Sequence, residues 1–247
     1  MNDSHIHIGQ FYNIYTSPKQ LVDFLNKVGV DKFAVSSTTI CEANYEKVIN
    51  ELTELEQLAG NRAIPVLWVL PQMLEDEGLA LFLDSSIKWK CIKIHPQLHP
   101  NSWMPRERNM KRIIQLATEI NCPVLIHTGE MSCCHAGLFK NLALHNPNVR
   151  FILAHGRPLD ETIDVMKSCN NVYTDTAFMP LENVACLCKN ELVNRVLWGT
   201  DYPVPKYYYQ SKDIQQYYHT IVSDLRKKIE TSDFEKIIKY NFDNIFE

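Results

Sequence analysis

Two histidines stand at alternate positions close to the start of the chain, in the segment DSHIHIG. Alternate residues of a β-strand point to the same face, and two steps of about 3.3 Å each bring the side chains of His5 and His7 within reach of one ion. A histidine pair on one strand face can also be part of an ordinary core, and so short a motif is weak by itself. The pair therefore indicates either a shared metal ion or a shared place in the core.

More acid and base side chains follow later apolar segments. The segments CIKIH, PVLIH, RFILAH and RVLWGTD end in His95, His127, His155 and Asp201. Burying so many imidazoles and a carboxylate without compensation is costly, whereas a divalent cation satisfies them by direct bonds. The whole set therefore favours a metal site. Several imidazoles with one acid suit Zn²⁺ best, and manganese, iron and cobalt stay as alternatives.

These polar residues end apolar strands that alternate with amphipathic helices along the whole chain. In TSPKQLVDFLNKVGVDKFAVSS, Ser17 and Pro18 begin a helix with apolar residues at helical spacing, Gly29 ends it, and a strand follows. Eight such strands favour a parallel sheet, because parallel strands need long crossover connections. The length of 247 residues suits one α/β domain, a (β/α)₈ TIM barrel over residues 1–247 with C-terminal helices. A doubly wound open sheet is the alternative.

Composition excludes some classes of partner. The formal net charge of -4 gives no reason to expect nucleic acid or an anionic membrane surface. No apolar run reaches the roughly 18 residues of a membrane span, and DSHIHIG follows the first residues without a leader-like pattern, which predicts a cytoplasmic protein. The eight cysteines match no structural zinc motif and are expected to be reduced. A small-molecule substrate is the expected partner, and the oligomeric state stays open.

Seven segments together resemble a known family. DSHIHIG, IKIHP, VLIHTGE, FILAHGRP, NVYTDTA, VLWGTDYPV and NFDNIF follow one another between residues 3 and 246. This ordered set resembles the amidohydrolase superfamily, and more closely its branch of small TIM-barrel metal-dependent hydrolases and related decarboxylases. The resemblance implies that His5, His7 and His127 bind the metal. It also implies that His155 binds metal or assists catalysis, and that Asp201 is a metal neighbour and a proton carrier.

The number of metal ions depends on strand four of the barrel. Superfamily members with two metals use a bridging carboxylate there, often a carboxylated lysine, and Lys93 lies on the same strand face as His95. The resemblance to this branch favours one divalent ion, with Lys93 lining the pocket. Two ions bridged by a carboxylated Lys93, or a buried lysine that extends to the rim, are the alternatives.

The expected activity is hydrolysis. Bound Zn²⁺ lowers the pKa of water from 15.7 to about 7, so that an activated water could attack a carbonyl or ester-like carbon of a lactone, an amide or a similar small molecule. Asp201 would accept the proton and deliver it to the leaving group. His155, where it does not bind metal, would polarise the carbonyl or hold the developing oxyanion.

Other residues at the same rim are candidates for binding substrate. Arg157 could hold a substrate carboxylate by a bidentate pair, or form an ion pair with Asp160 and Glu161. Glu130 lies on the loop after strand five, and we expect it to line the pocket with Lys93 and His95. The tyrosines of the segment KYYYQ could stack on a planar substrate or pack at a rim or interface.

Two other functions stay open. A metal-dependent non-oxidative decarboxylase of a small carboxylated substrate would use a similar ligand set, and a carboxylate held by Arg157 beside the metal would favour it. A barrel that binds a metal or ligand without turnover is the alternative outside enzymes. The fold alone does not identify the substrate.

Overall fold

The computed structural model describes residues 1–75, 77–103, 107–210 and 213–246. The described strands form one sheet: β1 (Asp3–Phe11), β2 (Ile14–Thr16), β3 (Phe33–Ser37), β4 (Ala63–Trp68), β5 (Cys91–Ile94), β6 (Val124–His127), β7 (Phe151–Ala154), β8 (Val172–Asp175) and β9 (Val196–Leu197). The described α-helices are α1 (Pro18–Val28), α2 (Tyr45–Ala59), α3 (Gly78–Leu83), α4 (Glu107–Ile120), α5 (Lys140–His145), α6 (Leu159–Ser168), α7 (Leu181–Lys189), α8 (Val204–Tyr208), α9 (Ile214–Lys228), α10 (Thr231–Glu235) and α11 (Asn241–Phe246). None of these helices is both long and apolar enough to cross a bilayer.

The parallel strands follow one another around a closed barrel. With β2 left aside, the strands from β1 to β9 pair in parallel in chain order, each with the one that follows it. The first and last strands are joined by backbone hydrogen bonds from Asp201 N to His5 O at 2.8 Å and from His7 N to Tyr202 O at 2.6 Å. The expected TIM barrel is therefore confirmed, and the open sheet is wrong. The same closing bonds bring Asp201 next to both opening histidines.

One strand was not expected from the sequence. β2 turns back on β1 as an antiparallel hairpin, with Tyr12 in the left-handed region at φ 50°. It is only three residues long and extends beyond the barrel, so it has no apolar strand pattern of its own. That the whole chain 1–247 forms one domain stays a prediction.

The helix boundaries differ in detail. A helix expected around 75–87 is limited to α3. The expected starts near 105 and 211 lie among or beside residues outside the described ranges, and the described parts of those helices begin at Glu107 and Ile214.

The barrel interior has an apolar lower layer beneath a polar upper layer. Buried Cys91 and Leu125 belong to the lower layer, two residues before Lys93 and His127 on the same strand faces. Helix α11 packs Phe242 and its neighbours against this layer. Because apolar side chains fill the space below, the polar strand ends are supported from beneath and open only toward the C-terminal rim.

A tightly packed polar cluster surrounds the exit of β1. Gly9 has φ +86°, and a Cβ there would clash with Thr39 Oγ1 and lie 2.7 Å from Ser37 Oγ and 2.9 Å from Glu51 Oε2. The buried Glu51 carboxylate accepts hydrogen bonds from Ser37 Oγ at 2.6 Å and from Thr39 Oγ1 at 3.0 Å. Gln10 N, next to Gly9 on β1, donates to Thr39 Oγ1 at 3.1 Å, so the strand that carries both opening histidines is held close to this cluster.

Gly9→Ala should destabilise the protein more than Gly29→Ala, which is a matched control. Gly29 also has positive φ, +73°, but a Cβ there would meet no atom within 4 Å. Both substitutions cost about 1 kcal/mol of backbone strain, whereas only Gly9→Ala adds about 1–3 kcal/mol for steric crowding. Urea unfolding of both variants measures the difference. Equal losses would show that the polar cluster yields without cost.

Candidate metal centre and active site

The polar strand ends meet in one cavity of about 680 Å³ at the C-terminal rim of the barrel. All nine candidate site residues line it: His5, His7, Lys93, His95, His127, Glu130, His155, Arg157 and Asp201. The strand-end pattern in the sequence therefore corresponds to a real concave site.

Two imidazoles in this cavity have their tautomers fixed by acceptors that cannot donate. His5 Nδ1 lies 3.0 Å from Asp175 Oδ2, and His155 Nδ1 lies 3.0 Å from the carbonyl oxygen of Ala177. Because a carboxylate and a carbonyl accept but do not donate, each Nδ1 carries the proton when the ring is neutral. Each Nε2 atom is therefore unprotonated when its ring is neutral and carries a lone pair that can accept a bond.

These lone pairs lie near a carboxylate. His5, His155 and Asp201 each offer one possible ligand atom, and these three atoms lie within 4.8 Å of one another. All three residues are buried. His7 Nε2 is 2.9 Å from Asp201 Oδ1. Two oriented imidazole nitrogens, a third imidazole and a carboxylate form a donor set that fits a divalent cation of the Zn²⁺ type.

A buried ammonium lies between the opening histidines. Lys93 Nζ is 3.0 Å from His5 Nε2 and 3.1 Å from His7 Nε2, and it lies 4.4 Å from the ring centre of Trp68. Burial lowers the pKa of Lys93 to about 8, so it remains mostly protonated at pH 7. A cation bound by both histidines would require the Lys93 side chain to move away or to lose a proton and become neutral.

Two buried carboxylates outweigh this single ammonium. Burial alone would raise the pKa of Asp201, but the interactions of its carboxylate with His5 and His7 hold that pKa well below its ordinary value. The pKa of Asp175 is also lowered, because His5 and a backbone hydrogen bond outweigh the effect of burial. Burial and the charge of Lys93 lower the pKa of His7 to about 3, so that imidazole is neutral. The excess negative charge favours a bound cation.

The remaining histidines form a stack beside this centre. The centre of the His95 ring lies 3.8 Å from that of His127, with 13° between the ring planes. It lies 5.6 Å from the ring centre of Trp68, with 12° between the planes. His127 Nε2 is 2.8 Å from Gln97 Oε1, and its Nδ1 is 3.2 Å from His155 Nε2. Burial lowers the pKa of both stacked histidines well below the ordinary value. His95 Nδ1 is buried without a partner among the described residues, so it can accept or donate to a bound molecule.

Arg157 faces the cavity. Its Nη2 donates to the carbonyl of Phe178 at 2.7 Å, while Glu161 lies 3.3 Å from His135 Nδ1. Within the described ranges, Arg157 forms no ion pair with Asp160 or Glu161, which was the alternative to a substrate role. Among the described residues no other acceptor is seen for its guanidinium N–H groups, which can therefore bind an added carboxylate. Glu130 is exposed at the lip of the same cavity.

Sequence analysis missed several supporting residues. Asp175 accepts from His5 and, through Oδ1, from the backbone N–H groups of His155 and Ala177. It ends the strand NVYTD, so its position was a usable signal. Ser36 Oγ lies 2.9 Å from His7 Nδ1, but a serine within the strand FAVSS has no pattern that would indicate this contact.

Asp175→Asn should weaken metal binding by about 10- to 100-fold. The asparagine oxygen can keep the two backbone hydrogen bonds, but an amide N–H would then face His5 Nδ1. That donor forces the imidazole proton onto Nε2 and removes the lone pair that a metal needs. Competition with a chromogenic chelator measures the affinity for Zn²⁺. Asp164→Asn is the control, because Asp164 is exposed on α6 and pairs with Lys140 away from the cavity. Wild-type affinity in Asp175→Asn would contradict the tautomer argument.

A family model and solved structures place the chain among known proteins. The Amidohydrolase family model matches residues 15–241, beginning after the opening histidines. A search of curated proteins found no match.

Three solved structures illustrate the likeness. A probable 2-pyrone-4,6-dicarboxylic acid hydrolase from Acinetobacter baumannii, with citric acid bound, has a TM-score of 0.72 at 9% identity, covering 99% of this chain and 98% of that chain. 5-carboxyvanillate decarboxylase from Sphingomonas paucimobilis has a TM-score of 0.66 at 9% identity, with 99% and 98% coverage. 4-oxalomesaconate hydratase from Rhodopseudomonas palustris has a TM-score of 0.63 at 16% identity, with 99% and 95% coverage. At these identities the likeness shows the TIM-barrel fold alone. The family match over most of the chain shows that this protein belongs to the amidohydrolase family, whose members are hydrolases or decarboxylases.

Proposed function

We propose that this protein is a metal-dependent hydrolase that cleaves a carbonyl or ester-like bond of a small molecule, such as a lactone or an amide. The observation that carries the proposal is the meeting of two fixed imidazole lone pairs and an ionised carboxylate in one cavity, from His5, His155 and Asp201. Family membership supports an enzyme of this general type.

His5, His7, His155 and Asp201 would hold the ion, most readily one Zn²⁺, by the donor argument given above. A bound divalent cation supplies a Lewis acid that lowers the pKa of water from 15.7 to about 7. Two ions are the alternative stoichiometry. His127, whose Nδ1 lies 3.2 Å from His155 Nε2, would contribute a ligand in either case, and a carboxylated Lys93 would supply the additional carboxylate for two ions.

Asp201 would move the proton. Its carboxylate is ionised at neutral pH, because the neighbouring imidazoles outweigh the effect of burial. It can therefore accept a proton from the attacking water at Oδ1 or Oδ2 and return it to the leaving group. Asp175 keeps the His5 lone pair directed at the same point throughout.

Arg157, His95, Lys93 and Glu130 would bind the substrate. The guanidinium of Arg157 offers donors to a substrate carboxylate, and the unpartnered Nδ1 of His95 offers one more polar contact. The small-molecule substrate, the cytoplasmic location and the absence of a nucleic-acid or membrane partner remain expectations from the sequence.

A decarboxylase is the second candidate, because Arg157 lines the same cavity as the proposed metal ligands. A carboxylate held there could lie beside the ion, as non-oxidative loss of CO₂ requires. The similar structures include 5-carboxyvanillate decarboxylase. The two reactions differ in their product, so one experiment separates them.

Asp201→Asn should lower turnover by about 100-fold or more, since it removes the proton acceptor. Lactones, cyclic amides and carboxylated rings are screened with the Zn²⁺- or Mn²⁺-loaded enzyme, following acid release by pH-stat and CO₂ by mass spectrometry. Acid release without CO₂ supports the hydrolase, and CO₂ release supports the decarboxylase. Asp224→Asn, at a half-exposed site in α9, is the control. Full turnover by Asp201→Asn on an identified substrate would overturn the assigned role.

A further inference from the structure

Gln97 contacts one end of the His127 imidazole. It follows β5 in the turn Pro96–Leu98 and lines the candidate cavity. Its amide oxygen lies 2.8 Å from His127 Nε2, while Nδ1 of the same ring lies 3.2 Å from His155 Nε2. Both nitrogens of His127 therefore face polar atoms, and a half-turn of the ring would place carbon atoms in these two positions.

His155 determines what lies opposite His127 Nδ1. Its backbone N–H donates to Asp175 Oδ1 at 3.0 Å, and its Nδ1 lies 3.0 Å from the carbonyl oxygen of Ala177. A carbonyl oxygen accepts and does not donate, so the neutral His155 ring carries its proton on Nδ1. His155 Nε2 is then an acceptor, and His127 Nδ1 can form a hydrogen bond with it only as the donor.

The two contacts of His127 require its proton at opposite ends of the ring. Burial lowers the pKa of His127 well below the ordinary value, so at neutral pH the ring is neutral and has one N–H group. Donation from Nδ1 to His155 leaves Nε2 as an acceptor, which the oxygen of Gln97 cannot satisfy. Donation from Nε2 to that oxygen instead leaves lone pairs on His127 Nδ1 and His155 Nε2, which are 3.2 Å apart.

The amide of Gln97 can satisfy either tautomer of His127. A primary amide has an acceptor oxygen and a donor NH₂ group, and a half-turn about its last side-chain bond exchanges them. With the NH₂ group toward His127, every contact in the series from Gln97 to His155 pairs a donor with an acceptor. With the oxygen toward His127, the two adjacent imidazole nitrogens both present lone pairs.

A cation stabilises this second arrangement. Two imidazole nitrogens bound to one tetrahedral Zn²⁺ at about 2.0–2.1 Å stand about 3.4 Å apart. The separation of His127 Nδ1 and His155 Nε2, 3.2 Å, is close to that value. The pair is therefore spaced for a hydrogen bond in one tautomer of His127 and for a shared ion in the other.

We propose that Gln97 is a positioning residue that selects the tautomer of His127, with its NH₂ group toward the ring in the metal-free protein and its oxygen toward the ring when a cation is bound. This inference rests on the proposed function, because it concerns the same metal centre. His127 is then a hydrogen-bond donor to His155 without metal and a ligand with metal. Asp175 differs, because its carboxylate has no donor and fixes one tautomer of His5 in both states.

Long-range ¹H–¹⁵N correlation spectra of the full-length protein identify which nitrogen of His127 carries a proton. In the metal-free wild type the proton should be on Nδ1, and addition of Zn²⁺ should move it to Nε2. In Gln97→Glu the proton should be on Nε2 before Zn²⁺ is added, because a carboxylate only accepts. The His127 signals are assigned by their loss in His127→Gln.

Gln97→Glu should also bind Zn²⁺ about tenfold more tightly in competition with a chromogenic chelator, since the tautomer of His127 need not change. Leu98→Glu is the matched control. Leu98 is 50% exposed and lines the same cavity, so this variant adds the same charge at the neighbouring position and keeps the amide. It should tighten binding by no more than about threefold, because water and salt screen a charge at the rim.

The proposal is overturned by a metal-free wild type in which His127 carries a proton on Nε2 alone or on both nitrogens. It is also overturned when Gln97→Glu leaves the tautomer unchanged, or when Leu98→Glu tightens binding as much as Gln97→Glu. The tautomer of the metal-free protein is measured without metal or substrate. Failure of the proposed function would be seen separately, as absence of Zn²⁺ binding in every variant or as absence of turnover.

Discussion

Closure of the barrel between its first and last strands is the constraint on which the site depends. The hydrogen bonds from Asp201 N to His5 O and from His7 N to Tyr202 O complete the ring of strands. They also place the carboxylate of one end of the chain against the histidine pair of the other. Asp201 itself has φ +57°, so its backbone is bent at the point of contact. A fold that left this seam open would separate the proposed ligands.

The second constraint is the balance of buried charge. Asp175 and Asp201 are buried and ionised, and Lys93 provides one buried positive charge beside them. The imidazoles of His7, His95 and His127 add no positive charge, because burial lowers their pKa values well below the ordinary value. Asp175 then determines which nitrogen of His5 carries a proton. The fold therefore directs lone pairs toward a point where negative charge is in excess, and this combination favours metal binding more than core packing.

Much of this arrangement could be predicted from the sequence because it depends on periodicity. Eight apolar segments separated by amphipathic ones indicated the barrel, and polar residues at their C-terminal ends indicated the rim. The cavity then brings His5, His127 and Asp201 together from strands that are far apart in sequence. Predictions based on strand ends succeed because parallel strands share one direction.

The remainder depends on contacts that have no sequence period. β2 is a short hairpin return determined by the turn at Tyr12, and Ser36 meets His7 only because β1 and β3 are adjacent in that register. Arg157 could be given two partners from the sequence, and only the three-dimensional structure directs it to the carbonyl of Phe178. Aromatic contacts at the cavity mouth join segments far apart in the chain, as the stacked rings of Tyr12 and Tyr207 show, so the sequence could indicate only the tyrosine run.

The measurement that tests the account most directly is the metal content of protein purified without a metal-affinity tag, by inductively coupled plasma mass spectrometry. The account predicts about one equivalent of divalent metal per chain, or about two if Lys93 is carboxylated, and its loss in the His5→Ala/His7→Ala variant. Circular dichroism of that variant would show whether the barrel is retained. A wild-type protein that holds no metal, even after reconstitution with Zn²⁺ or Mn²⁺, would contradict the account and leave the two histidines as core residues.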